Sequence, residues 1–196
     1  MEVDKIKWNK RFASENSYLG ERPSAFLIQE IERIKRLTPG KAALDVASGE
    51  GRNSVFLAQQ GFKVTALDIS EVGIDKGRKR ALEAGVVIDF QQVDLDSFEL
   101  LFKYDLIINF NFLLRPLIHK EVKALNPGGV ILVDTIMQSP LLLARHNPDY
   151  LLEQGELLKI FEPFTGEIIT AEELIQGDMP TARIFFKKTD KECMQT

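Results

Sequence analysis

The chain has 196 residues, a formal net charge of −4 and a pI near 5.4, with 44% hydrophobic and 28% charged residues. That composition fits one soluble globular domain with a sizeable core, and the acidic balance argues against a nucleic-acid backbone as partner. No apolar run is long enough to span a bilayer, the opening Met-Glu-Val-Asp-Lys lacks a signal-peptide core, and the lone Cys193 cannot form an intrachain disulfide, so the expectation is a cytoplasmic protein with no membrane partner.

In chain order, an arm carrying Trp8, Arg11 and Tyr18 comes first. Ser24 then caps a helix whose Leu27, Ile31 and Ile34 follow helical spacing, and Thr38-Pro39-Gly40 stops it. Strands are expected at 42–46, 64–67, 89–93, 105–109 and 130–135, and helices at 54–60, 71–84 and 116–125. This alternation implies right-handed βαβ units and a mostly parallel sheet covered on both faces. Residues 137–160 contain two prolines and no strand pattern, and read as an insertion. Residues 167–176 and 182–188 flank Gly177-Asp178-Met179-Pro180 and read as a hairpin, although Ala171-Glu172-Glu173-Leu174 suits a helix by propensity. The whole is expected to be one domain: arm and first helix over 1–38, core over 39–136, insertion over 137–160, hairpin over 161–188, and a frayed tail over 189–196.

The first strand runs into Ala47-Ser48-Gly49-Glu50-Gly51-Arg52-Asn53, and the second ends in Asp68. Glycines permit a tight turn and close approach of a ligand to the backbone. A helix start offers free N–H groups, and an acid at the next strand tip can accept from both ribose hydroxyls. This describes a site for an adenosine-containing cofactor. A dinucleotide fingerprint needs a third glycine, and that position is Ser54. Asp45 lies inside the first strand, where a charge needs a partner: a ligand ammonium or backbone N–H groups of the loop.

With Asn126-Pro127-Gly128-Gly129 before the fifth strand, the pattern resembles class I methyltransferases that use S-adenosylmethionine (SAM). The wider set is Trp8-Asn9-Lys10-Arg11-Phe12, Gly51-Arg52-Asn53, Asp68-Ile69-Ser70 and Asn147-Pro148-Asp149-Tyr150-Leu151-Leu152. It resembles the tellurite-resistance-type family of small-molecule methyltransferases, over residues 7–188. The resemblance implies a seven-stranded, Rossmann-like sheet closed by a C-terminal antiparallel hairpin. It implies SAM as cofactor, S-adenosylhomocysteine (SAH) as product, and a small-molecule acceptor. Asp45, Ala47, Gly49, Gly51, Asp68, Ile69, Asp94, Leu95 and Phe110 become the candidate cofactor residues, with Asp94 toward the adenine amino group and Ile69 on the ring. Family members commonly carry glycine where this chain has Ala47, which is tolerated if its φ is negative.

Substrate candidates are Tyr18, Phe112, Arg115, Arg145 and His146. Arg115 and Arg145 follow the fourth and fifth strands and are expected to meet above the sheet's carboxyl edge. The loop Asn109-Phe110-Asn111-Phe112 lacks the prolines of enzymes that grip a planar amino group. No residue is assigned as catalytic, no metal site is expected from two histidines, and Lys76-Gly77-Arg78-Lys79-Arg80 reads as a solvated helix face. The arm is either a lid over the site or a structural strap. The acceptor is expected to be a soft nucleophile or small anion; the alternatives are small-molecule O- or N-methylation, a non-catalytic SAM-binding module and a dinucleotide-dependent oxidoreductase. Oligomeric state is not legible.

Overall fold

A computed structural model describes residues 2–189; the expected tail lies, apart from Thr189, outside the described residues. Five parallel strands form the body of one sheet: β1 (Ala42–Val46), β2 (Lys63–Asp68), β3 (Asp89–Gln92), β4 (Tyr104–Phe110) and β5 (Leu125–Ile136). β6 (Gly166–Leu174) and β7 (Thr181–Lys188) complete it, with β7 antiparallel to both neighbours. The order β3-β2-β1-β4-β5-β7-β6 reverses direction between β1 and β4. At such a switch point the loops diverge and leave a crevice beyond the strand ends. The seven-stranded, mostly parallel α/β architecture is therefore the one expected. Among the described residues no helix is long and apolar enough to cross a membrane.

Alternation along the strands sorts the core onto two faces. Leu44, Val46, Ile107, Ile131 and Val133 pack with α5 (Arg115–Ala124) and α7 (Glu156–Phe161). Ala43, Leu106, Ile108 and Leu132 face α2 (Ala25–Leu37) and Leu57 of α3 (Arg52–Gln59). Against β2 and β3, Ile74 and Ala81 of α4 (Glu71–Glu83) meet Ala66 and Phe90. β4 is buried at every position, as a central strand must be.

The element boundaries differ from expectation where backbone pairing outweighs local pattern. The arm begins with an unanticipated helix, α1 (Glu2–Phe12), whose acids Glu2 and Asp4 and bases Lys10 and Arg11 suit its dipole. β5 starts before the Asn-Pro-Gly-Gly run, because Leu125 already pairs with Tyr104 across a register shift. At Gly129 a Cβ would stand 2.9 Å from the Asn126 carbonyl oxygen. Ser24 precedes α2 without capping it through its side chain; its N–H donates to Asn53 Oδ1 at 2.9 Å. Residues 171–174 are strand, since β7 supplies the partners their helix propensity cannot offset. The insertion holds α6 (Pro140–Leu143) and a 3-10 turn, Pro148–Tyr150.

One polar pair is sealed in the α5 face. Asn109 Nδ2 donates to Glu121 Oε1 at 2.9 Å, while Asn109 Oδ1 and Glu121 Oε2 have no partner. Burial pushes the Glu121 carboxyl up to about 8, against a smaller lowering by Asn109. Protonation of Glu121 removes the cost of burying an unpaired charge there. With the folded value above the unfolded 4.5, stability is lost as pH rises from about 4.5 through about 8. Glu121→Gln should abolish that slope and be more stable than the parent at pH 9 by about 1 kcal/mol or more, measured by urea unfolding across pH.

Candidate active site

A cavity of about 420 Å³ opens at the carboxyl ends of β1, β2 and β4. Its floor is built from strand tips and its mouth from α1, the arm's Tyr18 and Leu19, and the insertion.

Asp45 is 2% exposed and faces α3, where the Ser54 hydroxyl donates to its Oδ2 at 2.5 Å. The residue in the third-glycine position is thus the acid's protein partner, which neither sequence reading of Asp45 anticipated. Burial is the main force raising the Asp45 carboxyl to about 7; the Ser54 hydrogen bond opposes it and the nearby Asp68 charge adds to it.

The loop after β1 runs through left-handed backbone at Ala47, Gly49 and Gly51, with φ of 52°, 55° and 72°. The expectation of negative φ at Ala47 is overturned. The alternating geometry of the turn demands a left-handed residue there, and alanine adopts it at a cost of about 1 kcal/mol. Ala47 and Gly49 line the cavity, but Gly51 does not. Gly51 instead lets α3 approach α4: a Cβ there would sit 3.1 Å from Gly77 Cα and from Phe90.

Asp68 is 6% exposed and grips two loops at once. Gly49 N–H donates to Oδ2 at 2.7 Å and Ser70 N–H donates to Oδ1 at 2.8 Å. Burial raises its carboxyl, countered by these backbone donors. Ser70 caps α4 through its own Oγ, accepting from Gly73 N–H at 3.1 Å. Asp68 still borders the cavity, as do Ile69, Asp94, Leu95, Phe110 and Phe112. Phe110 also packs on Phe26 at 6.3 Å between ring centroids, so it belongs to the core and the cavity together. Asp94 accepts from Asp96 N–H at 3.1 Å.

Of the substrate candidates, Tyr18, Phe112, Arg145 and His146 border the cavity, and Arg115 does not. Its guanidinium is consumed by structure. It pairs with both carboxylate oxygens of Glu156 at 2.5 and 3.0 Å, and donates to the carbonyls of Asp149 at 2.6 Å and Leu151 at 3.0 Å. This fork raises the Arg115 pKa, the Glu156 hydrogen bond being the largest cause. The two arginines therefore do not meet; Arg115 fastens the segment that carries Tyr150. His146 Nδ1 lies 3.3 Å from the Leu142 carbonyl oxygen, a contact that favours the proton on Nδ1 and leaves Nε2 as an acceptor.

The arm is bound to the glycine-loop side of the cavity. Glu50 accepts from Ser17 Oγ at 2.7 Å, Tyr18 N–H at 2.8 Å and Lys76 Nζ at 2.9 Å. Burial alone would raise the Glu50 carboxyl, but these donors together hold it below its ordinary value. Arg52 donates to the Leu19 and Arg22 carbonyls, and Arg80 to Ser17 and the Glu21 carbonyl. Two members of the basic cluster, Lys76 and Arg80, are thus anchors, contrary to the solvated-face reading; Arg78 and Lys79 make exposed helix pairs. Trp8 stacks on Phe12 at 5.5 Å, and Tyr18 stands edge-on to both. Residues that local sequence did not flag also reach the cavity: Lys7, Asn111 and Met179. Met179 arrives from the β6–β7 turn, which only the tertiary fold brings near. Among the described residues no group of three or more His, Cys, Asp or Glu is placed to hold a metal.

Because Asp68 satisfies two buried backbone donors, Asp68→Ala should cost stability as well as ligand affinity. The expected loss is about 2 kcal/mol, with a smaller loss for Asp68→Asn, which keeps one acceptor. Chemical unfolding of both variants measures this; a parent-like Asp68→Ala would show the grip to be energetically idle.

Comparison with known proteins agrees with this geometry. Residues 43–129 match the model of a methyltransferase domain. A ubiquinone biosynthesis O-methyltransferase of Azotobacter vinelandii is 33% identical over 132 residues, covering 63% of this chain and 56% of that protein. The chain spans about half the length, or less, of the curated relatives it matches first. Among solved structures, TehB from Haemophilus influenzae superposes with a TM-score of 0.67 at 21% identity, over 82% of this chain and 62% of its own. The N-methyltransferase NodS from Bradyrhizobium japonicum, solved with SAH, gives 0.71 at 16% identity, over 95% and 98%. By sequence over residues 43–129 the chain is similar to a methyltransferase domain, and by fold over most of its length it is similar to these solved structures.

Proposed function

We propose that this protein transfers the methyl group of SAM to a small-molecule acceptor. The observation that carries the reading is the row of acids at successive strand ends, Asp45, Asp68 and Asp94, bordering one cavity closed over by an aromatic arm. The residues suit the cofactor. Asp45 is a buried acid that stays elevated to about 7 despite its hydrogen bond from Ser54, and a ligand ammonium would relieve that. Asp68 accepts the Gly49 N–H on Oδ2 and the Ser70 N–H on Oδ1, and a carboxylate bordering the cavity can accept ribose hydroxyls as well. Ile69 and Leu95 offer apolar surface to a base, with Asp94 beside them for an amino group. The Ser48 hydroxyl borders the cavity and is buried without a partner.

SAM when bound supplies a methyl carbon already activated on a sulfonium, so no strong acid is required of the protein. The chain's contribution is alignment and exclusion of water, effects that can together remove about 7–11 kcal/mol of barrier. Phe110, Phe112, Trp8 and Tyr18 furnish aromatic faces, which favour cationic groups over bulk water. The curated relatives are named as O-methyltransferases, and an oxygen acceptor arrives protonated. His146 is the cavity's imidazole and would take that proton on Nε2, while a thiolate needs no such help. A dinucleotide fits less well, since Ser54 fills the third-glycine position with a hydroxyl committed to Asp45.

Calorimetric titration should show SAH binding and no NAD binding. Below about pH 7 Asp45 must lose a proton before it can face an ammonium, so SAH affinity should fall with acidification, by up to about tenfold per unit. Asp45→Asn should bind weakly and without that slope. Tight NAD binding with no response to SAH would overturn the reading.

Phenol and thiophenol serve as matched acceptors for His146. His146→Ala should depress transfer to phenol by about 10²-fold and leave transfer to ionised thiophenol and SAH binding unchanged. Equal losses on both acceptors would remove the base role.

A further inference from the structure

The cavity is divided by charge. Its sheet side carries Asp45, Asp68 and Asp94; its outer rim carries Lys7 and Arg11 from α1 and Arg145 from the insertion. Several cations elsewhere are paired with acids: Lys76 with Glu50, Arg115 with Glu156, Arg183 with Asp134. Among the described residues the three rim cations form no ion pair with a carboxylate. Asp4 and Asp96 border the same cavity, yet neither pairs with them. Glu50, also at the wall, is taken by Lys76 and the arm.

The rim cations are held by rings instead of acids. The Arg11 guanidinium sits 4.7 Å from the Trp8 ring centre and 5.6 Å from that of Tyr18. Lys7 Nζ lies 5.9 Å from Trp8 and 5.5 Å from Tyr150, spanning from α1 to the insertion. Stacking of a guanidinium occupies its faces and leaves its N–H edge free to meet an anion. The rim thus combines flat aromatic surface with positive charge that, among the described residues, is not ion-paired, beside Asp4 and Asp96 and on a molecule whose net charge is −4. A local positive site on an acidic surface concentrates anions.

We propose that the acceptor is a flat organic anion, its ring lying against Trp8, Tyr18 and Tyr150 and its charged group meeting Arg11 and Arg145. The assignment rests on the methyl-transfer reading only in naming the bound molecule as the acceptor. An inorganic oxyanion would use the cations but not the rings, and a flat cation would use the rings but not the cations.

The test titrates the SAH-loaded protein with benzoate, benzamide, benzylamine and sulfate. Benzoate should bind at least about tenfold more tightly than each of the other three. Arg145→Gln, at an exposed position, should erase the preference of benzoate over benzamide while SAH binds as before; Arg36→Gln, on α2 away from the cavity, should change neither. Benzamide or benzylamine binding as well as benzoate overturns the charge assignment, sulfate doing so overturns the ring, and failure of benzoate to bind SAH-loaded protein overturns both. If the parent does not bind SAH, the methyl-transfer reading falls separately. The same four probes titrated into the free protein then decide the anion site by the same differences.

Discussion

The two backbone hydrogen bonds accepted by Asp68 set the spacing on which the rest of the site depends. One comes from the glycine loop after β1 and the other from the entrance to α4. Without a shared acceptor these segments have no reason to hold a fixed separation, and the cavity floor is the space between them. The network continues outward. Ser70 Oγ donates to Asn9 Oδ1 at 2.6 Å, and Asn9 Nδ2 reaches Glu71 at 3.3 Å, so α1 is registered on the same helix end. Phe12 then packs over Gly49, where a Cβ would stand 3.1 Å from its ring.

Electrostatics in this molecule separate by depth. Acids are taken into the sheet side, where burial favours their neutral forms and a cationic ligand group would reverse that. Cations remain at the rim or on α4. Lys76 and Arg80 of α4 hold the arm down, so their charge is structural. Residues 17–24 are strapped by Glu50, Arg52, Asn53 and Arg80, and Trp8, Phe12 and Tyr18 line the cavity beside them.

The parallel core was legible because hydrophobic strands, glycine turns and capped helices repeat in a simple alternation, and Asp45, Gly49 and Asp68 lie in one short stretch of it. What escaped depends on partners distant in sequence. α1 is polar around most of its surface and buries only Phe12, so its pattern carries little signal. Arg115 looked free because its partners lie 34 to 41 positions away. Ala47 looked benign because a composition cannot reveal the sign of φ. The Ser54–Asp45 bond needed the pleat of β1 and the facing of α3 to be known together.

The Arg115–Glu156 fork has a consequence for how such a protein diversifies. It pins Asp149, Leu151 and Glu156 to α5, leaving residues 144–148 to cross the outer wall ahead of that fixed point. Inherited changes within that span can reshape the outer wall while β1, β2 and their acids stay untouched.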